Sequence, residues 1–445
     1  MKNYTIIIFG GTGDLAKRKL FPALKSLLNN NSDFRITVLG IGRKIFTDQE
    51  YVEYVLSNEK IPENMKIFYH VADVEKSESL KNIEHKLDLI ESTDIDGRIY
   101  YLATSHNLFK NIVKNINSYT KKHEKGFTRI IAEKPFGTDF KSSKELNRDL
   151  KKYLSEDQIY RADHYLAKET IDNILKLRLS NPIFESIWNS KSISKIKMVV
   201  DEEIGVGSRL AYYDASGALK DMVQNHLLQT ISFILMEPPK SLENVDFKKA
   251  KVDALKKLKF EHEIVIGQYR GYQEEVKDLN PGSKTETFVE LKLRSLAKRW
   301  KGTEIILRTG KMLTKREAYI ELEFKKEPCM LYCNLGSAPN KLTLHIQPLV
   351  NIDLGINTML PGERVNLAPV KMTFSPTLEF NSNVPEGYEV MFKECLLGDK
   401  RIFICDKELE VSWKLTDEIV AYVKGIAPLE YEPGSLGPVI TANKF

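Results

Sequence analysis

The nine residues Arg161 to Glu169, RADHYLAKE, gather a guanidinium, two acids, an imidazole, a phenol and an ammonium. Such a set suits the holding of a small charged group. His164 and Lys168 are four apart and share a face if the stretch is helical, with Tyr165 beside them. A solvated helix face accounts for the same residues. Asp163, standing before the helix that follows, reads first as its cap.

A second stretch, GGTGDLA (10–16), lies between an apolar run, YTIIIF (4–9), and a segment with apolar residues at helical spacing. Read from Gly11 it is G-x-G-x-x-A, the dinucleotide fingerprint with alanine at its third position. Gly10, Gly11 and Gly13 then serve a tight turn and a side-chain-free approach to pyrophosphate. Thr12, Asp14 and Leu15 open the helix on whose N-terminus the phosphate rests. A glycine turn that merely reverses the chain is the plainer reading. The second strand, RITVLGIGR, ends in Arg43 and Lys44 and offers no acid for a ribose diol. A guanidinium binds a 2′-phosphate bidentately, which favours NADP, with NAD the second choice and Lys44 or Thr47 assisting.

A dinucleotide-dependent oxidation of a hydroxyl needs a base, and neutral imidazole is suited to that work near pH 7. Of eight histidines, His226 is the best candidate, in KDMVQNHLLQTISFILM. That segment is apolar nearly all round and reads as buried, where a satisfied core histidine is the bland alternative. His70, His85, His106, His123, His262 and His345 show no partner pattern and read as structural or surface. No carboxylate and histidine cluster has metal-ligand spacing, and hydride transfer to a nicotinamide needs none.

The elements that must position these groups change character along the chain. Strands at 4–9, 35–43, 67–74 and 98–103, and a strand running into a turn over 127–137, alternate with helical segments, which implies βαβ units and a parallel sheet. After about residue 190, SKIKMVV, TETFVELKL, AYIELEF and LTLHIQP alternate apolar with polar, as half-buried antiparallel strands do. Helices are expected at about 216–236, 387–397 and 415–424. The expected fold is an α/β Rossmann dinucleotide-binding domain over 1–165 and an α+β domain with a large, mainly antiparallel sheet over 166–445.

Length, 445 residues, calls for more than one core. A net charge of +5 without a basic stripe or interleaved aromatics speaks against nucleic acid. No apolar run approaches a membrane span. The four cysteines (Cys329, Cys333, Cys395, Cys405) read as reduced, and with no signal-peptide pattern a cytoplasmic protein is expected.

Three segments in order, GGTGDLAKRKLFPAL, IAEKPFG and RADHYLAKE, are followed by GVGSRLAYYDASGALKDMVQNHLLQ, RTGK, IQP and YEPGSLGP. The set resembles the glucose-6-phosphate dehydrogenase family over essentially the whole chain. The resemblance implies NADP-dependent oxidation of D-glucose 6-phosphate at C1 to 6-phospho-D-glucono-1,5-lactone, the first step of the oxidative pentose phosphate pathway. It implies His226 as general base with Asp163 orienting it. It places His164, Tyr165 and Lys168 on the substrate's phosphate, with Lys311 and Arg316 near the phosphate end. Glu202 and Asp221 become hydroxyl acceptors, and Lys134 of EKP lies between sugar and cofactor, beside a Pro135 open to a cis bond. A homodimer or homotetramer through the free face of the large sheet is implied too. The chain departs from the family at Ala162 and Ala167, and at Thr104-Ser105-His106-Asn107, where the family has a proline pair near the cofactor. Rivals are a dehydrogenase acting on another sugar and a non-catalytic NADP-binding relative.

Overall fold

The computed structural model describes the chain except residues 58, 81, 92–93, 121–125, 327–336, 364–365, 377–378, 380–385 and 439–445. Cys329, Cys333 and His123 therefore lie outside the described residues. Two compact units result, Met1–Lys168 with Pro385–Glu410, and Glu169–Val384 with Val411–Phe445. The sequence reading drew one boundary at 165/166 and made no provision for the return of 385–410.

The first unit holds a six-stranded parallel sheet, β1 (Lys2–Phe9), β2 (Phe34–Gly42), β3 (Met65–Val71), β4 (Gly97–Leu102), β5 (Phe127–Ala132) and β6 (Ile159–Arg161). Their order, β3-β2-β1-β4-β5-β6, reverses between β1 and β4. Ile6, Ile7, Ile8, Val38, Leu39, Ile99 and Tyr100 are buried, which is why these strands read as continuous apolar runs rather than alternations. The helix Phe21–Asn30 buries Phe21, Leu24 and Leu28 along one stripe. The returning helix Gly387–Leu397 is held here by Arg129, whose guanidinium donates to the Cys395 and Leu396 carbonyls and stacks 3.6 Å over the Phe127 ring.

The second unit holds a nine-stranded sheet in the order β14-β13-β12-β11-β7-β10-β9-β8-β15. The strands are β7 (Ile193–Asp201), β8 (Leu258–Tyr269), β9 (Phe288–Ser295), β10 (Glu304–Gly310), β11 (Glu317–Phe324), β12 (Lys341–Gln347), β13 (Ile352–Met359), β14 (Leu367–Phe374) and β15 (Leu429–Tyr431). Pairing is antiparallel except at β10 with β7 and β15 with β8. Alternation sets its two faces. Ile196, Met198, Val200, Leu307, Ile320, Leu322 and Leu344 are buried on one. On the other, Lys197 of β7 meets Glu290 of β9 at 3.2 Å over the intervening β10, and Lys341 of β12 meets Glu321 of the neighbouring β11 at 2.9 Å.

Against the buried face lies a helical segment, Leu219–Leu227 wound in wide π turns and continuing as Leu228–Leu235, buried except at Lys220. It begins after a break at Gly217, whose φ of 63° and ψ of 178° interrupt the preceding helix Leu210–Ala218. A Cβ at Gly217 would lie 2.3 Å from Glu286 Oε1, so only glycine fits. Glu286 accepts the Leu219 N–H at 3.0 Å and so satisfies a helix start that has no cap of its own. Among the described residues no helix is long and apolar enough to cross a membrane.

Candidate active site

In the first unit the carboxyl ends of the parallel strands form the crevice. The Gly10 and Gly11 N–H groups both donate to the Ile41 carbonyl, at 3.0 and 2.8 Å, and Gly13 donates to the Gly10 carbonyl at 2.9 Å. Gly10 has φ +84°, and a Cβ there would stand 2.4 Å from the Ala103 carbonyl oxygen. At Gly11 a Cβ would stand 2.6 Å from the Tyr51 hydroxyl, which donates to the Gly11 carbonyl. The turn is therefore pulled down onto β2 and β4, leaving Gly13 and Asp14 exposed at the start of the helix. That open backbone fits a pyrophosphate. Leu15 precedes a wide turn, Ala16–Leu20, that leads into the helix. Wide turns of this kind recur at functional sites, and Leu219–Leu227 in the second unit carries the candidates Asp221 and His226.

Arg43 and Lys44 follow β2 and are exposed. The Lys44 carbonyl is pinned by the Tyr69 hydroxyl at 2.7 Å, and the Lys44 and Lys17 ammoniums lie 5.1 and 4.8 Å from the Tyr54 ring centroid. This Tyr51, Tyr54, Tyr69 and Phe46 cluster escaped the sequence reading, although the aromatics stand at regular places on one helix and one strand. Thr47, expected to assist Arg43, instead caps the helix Asp48–Leu56 in a reciprocal pair with Glu50.

The opening motif is a string of turns, not the helix that the spacing of His164 and Lys168 invited. The Asp163 carboxylate accepts the Tyr165 N–H at 2.9 Å, the Leu166 N–H reaches the Asp163 carbonyl at 3.0 Å, and the Lys168 N–H reaches that of Tyr165 at 3.1 Å. The helix begins only at Glu169. Asp163 is buried, and the Lys168 ammonium sits 4.1 Å from the centroid of the Tyr165 ring. His164 meets that ring edge-on at 5.1 Å and stacks on Tyr388 at 6.3 Å. Gly387 allows the approach, since a Cβ there would be 2.9 Å from the His164 carbonyl oxygen. Arg161 takes no part in this cluster: its buried guanidinium is spent on Asn147 and Glu156 at 2.7–3.1 Å.

Lys134 follows β5, and the Lys134–Pro135 peptide is cis. The neighbouring Glu133 carboxyl accepts a hydrogen bond from the Tyr101 hydroxyl. Burial pushes Glu133 up to about 7, with Asp163 adding to the rise, while the Tyr101 hydroxyl and the Lys134 charge oppose it.

In the second unit the candidate charges come already paired. The Lys311 ammonium lies 2.6 Å from Glu202, at the ends of β10 and β7, with the Lys311 carbonyl held by the Tyr431 hydroxyl at 2.7 Å. Asp221, 2% exposed in its side chain, accepts from Arg209 at 3.1 Å and from the Tyr212 hydroxyl at 3.2 Å. His226 is buried five residues on, in the same wide-turned segment. Arg209 and Tyr212 were missed, because the break at Gly217 removes any fixed spacing between them and Asp221. Arg316 is exposed at the start of β11, and among the described residues no hydrogen bond or ion pair joins it to Glu202 or Lys311. His345, read as lacking a partner, lies 2.8 Å from Asp353.

Residues 7–173 match the glucose-6-phosphate dehydrogenase NAD binding domain, and residues 175–445 the glucose-6-phosphate dehydrogenase C-terminal domain. The chain belongs to the glucose-6-phosphate dehydrogenase family. It is 36% identical over 473 residues to the glucose-6-phosphate 1-dehydrogenase of Chlamydia muridarum, covering 97% of this chain and 93% of that one. The corresponding enzyme of Bacillus subtilis is 35% identical over 464 residues, with 97% and 94% covered. A solved glucose-6-phosphate dehydrogenase in complex with its substrate glucose 6-phosphate superposes with a TM-score of 0.90 at 30% identity, over 99% of this chain and 96% of that one. Levoglucosan dehydrogenase, at 12% identity and a TM-score of 0.56, shares the fold alone. The chain is thus a glucose-6-phosphate dehydrogenase family member with a dinucleotide-binding domain.

Proposed function

We propose that the protein oxidises D-glucose 6-phosphate at C1 to 6-phospho-D-glucono-1,5-lactone with NADP. What supports the reading is the full-length likeness to a glucose-6-phosphate dehydrogenase solved with its substrate, together with the presence of every ionisable group the reaction needs. The C1 hydroxyl proton passes to His226, and a bound nicotinamide would supply the acceptor for the hydride lost from C1. Asp163 orients the imidazole and stabilises its cation. His164, Tyr165 and Lys168 hold the phosphate, which aims C1. Glu202 and Asp221 accept sugar hydroxyls, with Lys311 and Arg316 toward the phosphate end. Gly10, Gly11, Thr12, Gly13, Asp14 and Leu15 cradle the pyrophosphate, Arg43 takes the 2′-phosphate, and Lys134 touches both ligands.

A second copy docks on the ion-paired face of the large sheet, giving a homodimer or homotetramer, and the enzyme works in the cytoplasm. Initial rates of dinucleotide reduction with glucose 6-phosphate, glucose and other sugar phosphates test the substrate. Turnover of glucose 6-phosphate far above that of glucose and of other sugar phosphates is expected. Equal turnover of glucose would move the reading to another sugar dehydrogenase, and none with any sugar would make the chain a non-catalytic relative.

A further inference from the structure

Just beyond β4 the chain carries Thr104-Ser105-His106-Asn107 where the family resemblance expects a proline pair. The place matters. In the order β3-β2-β1-β4-β5-β6 the switch falls between β1 and β4, and a dinucleotide crosses a parallel sheet at that switch. The Ala103 N–H donates to the Phe9 carbonyl at 3.0 Å, which fixes the loop after β4 to the end of β1. A Cβ at Gly10 would lie 3.3 Å from Thr104 Cγ2, so the threonine side chain is a wall of the glycine turn itself.

Its hydroxyl is in an unusual condition. Thr104 Oγ1 is shut off from solvent and has no hydrogen-bond partner among the described residues, although the residue as a whole is partly exposed. An enclosed hydroxyl without a partner is costly and calls for an explanation. The atom beside Gly10 is Cγ2, and a 120° turn about χ1 puts Oγ1 in its place. That turn brings the donor to the edge of the glycine loop.

We propose that Thr104 is a dinucleotide-binding residue whose hydroxyl turns on binding to donate to an oxygen of the cofactor's nicotinamide half. The adenine half lies on the β2 side of the glycine turn and the nicotinamide half on the β4 side, which is the side Thr104 occupies. Ribose and phosphate oxygens there are acceptors, matching a hydroxyl donor. The proposal rests on the dinucleotide reading above and is independent of which nucleotide is preferred.

The test is calorimetric titration of the full-length protein with NADP, NAD and adenosine 2′,5′-bisphosphate, which lacks the nicotinamide half. Thr104→Val keeps the shape and removes the donor. It should weaken both dinucleotides by about ten-fold, the worth of one good hydrogen bond. The bisphosphate should bind as before, and the ligand-free variant should melt higher, because the enclosed hydroxyl is gone. Thr104→Ser should bind like the wild type. If Thr104→Val fails to fold, Thr104→Ala compared with Thr104→Ser decides by the same criteria. Unchanged dinucleotide affinity in a folded variant lacking the hydroxyl overturns the proposal, as does equal weakening of the bisphosphate. A wild type that binds neither dinucleotide overturns the cofactor reading and this proposal with it.

Discussion

The two units build their halves of the chemistry in opposite ways. In the first, the surface at the glycine turn is backbone, opened by glycines that are packed tightly from beneath, and the charges beside it stand in water: Asp14 is 79% exposed in its side chain, although Asp163 further along is buried. In the second, the charges are sunk and neutralise one another, with Lys311 at 7% and Asp221 at 2% exposure. An exposed cation contributes affinity and little else, so its loss is graded. A buried pair is different, because removing one partner strands the other in a poor solvent. The contrast predicts that variants of the exposed first-unit groups change which ligand binds and how well, whereas variants of buried charges, Asp163 of the first unit among them, change turnover or the fold itself.

The largest effect should come from the second unit. His226→Asn is expected to lower kcat by roughly 10²–10⁴ while leaving substrate binding largely intact. Steady-state kinetics with a circular-dichroism check of folding will decide, and near wild-type turnover removes His226 from the mechanism. Asp163→Asn should act in the same direction but more weakly.

Next comes Lys168→Ala in the first unit. The loss of one charge-assisted partner should reduce kcat/KM for glucose 6-phosphate roughly ten- to hundred-fold and leave the weak use of glucose nearly unchanged. If both sugars suffer alike, Lys168 acts near C1, and the division between a binding half and a chemical half fails at this residue.

Arg43→Ala should raise the KM for NADP about ten-fold and leave that for NAD nearly unchanged. Comparable efficiency with both nucleotides in the unmodified enzyme would show that Arg43 and Lys44 serve solvent alone.

The smallest effect concerns Glu286, the carboxyl that receives the Leu219 N–H. Burial raises it to about 7, against the opposing pull of that N–H. A carboxyl raised above its unfolded value is the better proton acceptor in the folded chain. Its contribution is therefore present below the unfolded value and lost as pH rises through about 7. Glu286→Gln should remove that slope, so that its stability relative to wild type improves by on the order of 1 kcal/mol between the two ends of the window. Denaturant melts across that range measure it, and parallel curves for the two proteins would place the proton elsewhere.

How legible all this was in the sequence follows the same division. The glycine turn and the parallel strands could be read because a strand buried on both faces is apolar throughout, and the turn has fixed spacing. The helix Gly387–Leu397 was read with its bounds, but not its home in the first unit, since nothing local in a helix says which core it joins. β13, IDLGINTM, carries a glycine and no strict alternation, and it went unread. RADHYLAKE misled because its spacing suits a helix, while the Asp163 carboxylate takes the Tyr165 N–H and closes a turn instead. Pairings such as Asp221 with Arg209 are made by folding across a break, so the sequence carried their residue types but not their partnership.

The central claim is hydride transfer from C1 of a phosphorylated sugar to a nicotinamide. It is tested most directly with glucose 6-phosphate deuterated at C1, incubated with NADP and the wild-type enzyme, and the reduced nucleotide read by proton NMR. The account predicts one deuterium at C4 of the nicotinamide for each lactone formed, and far slower labelling when deuterated glucose replaces the phosphate ester at equal concentration. Reduced nucleotide free of deuterium, or no reduced nucleotide at all, would contradict it.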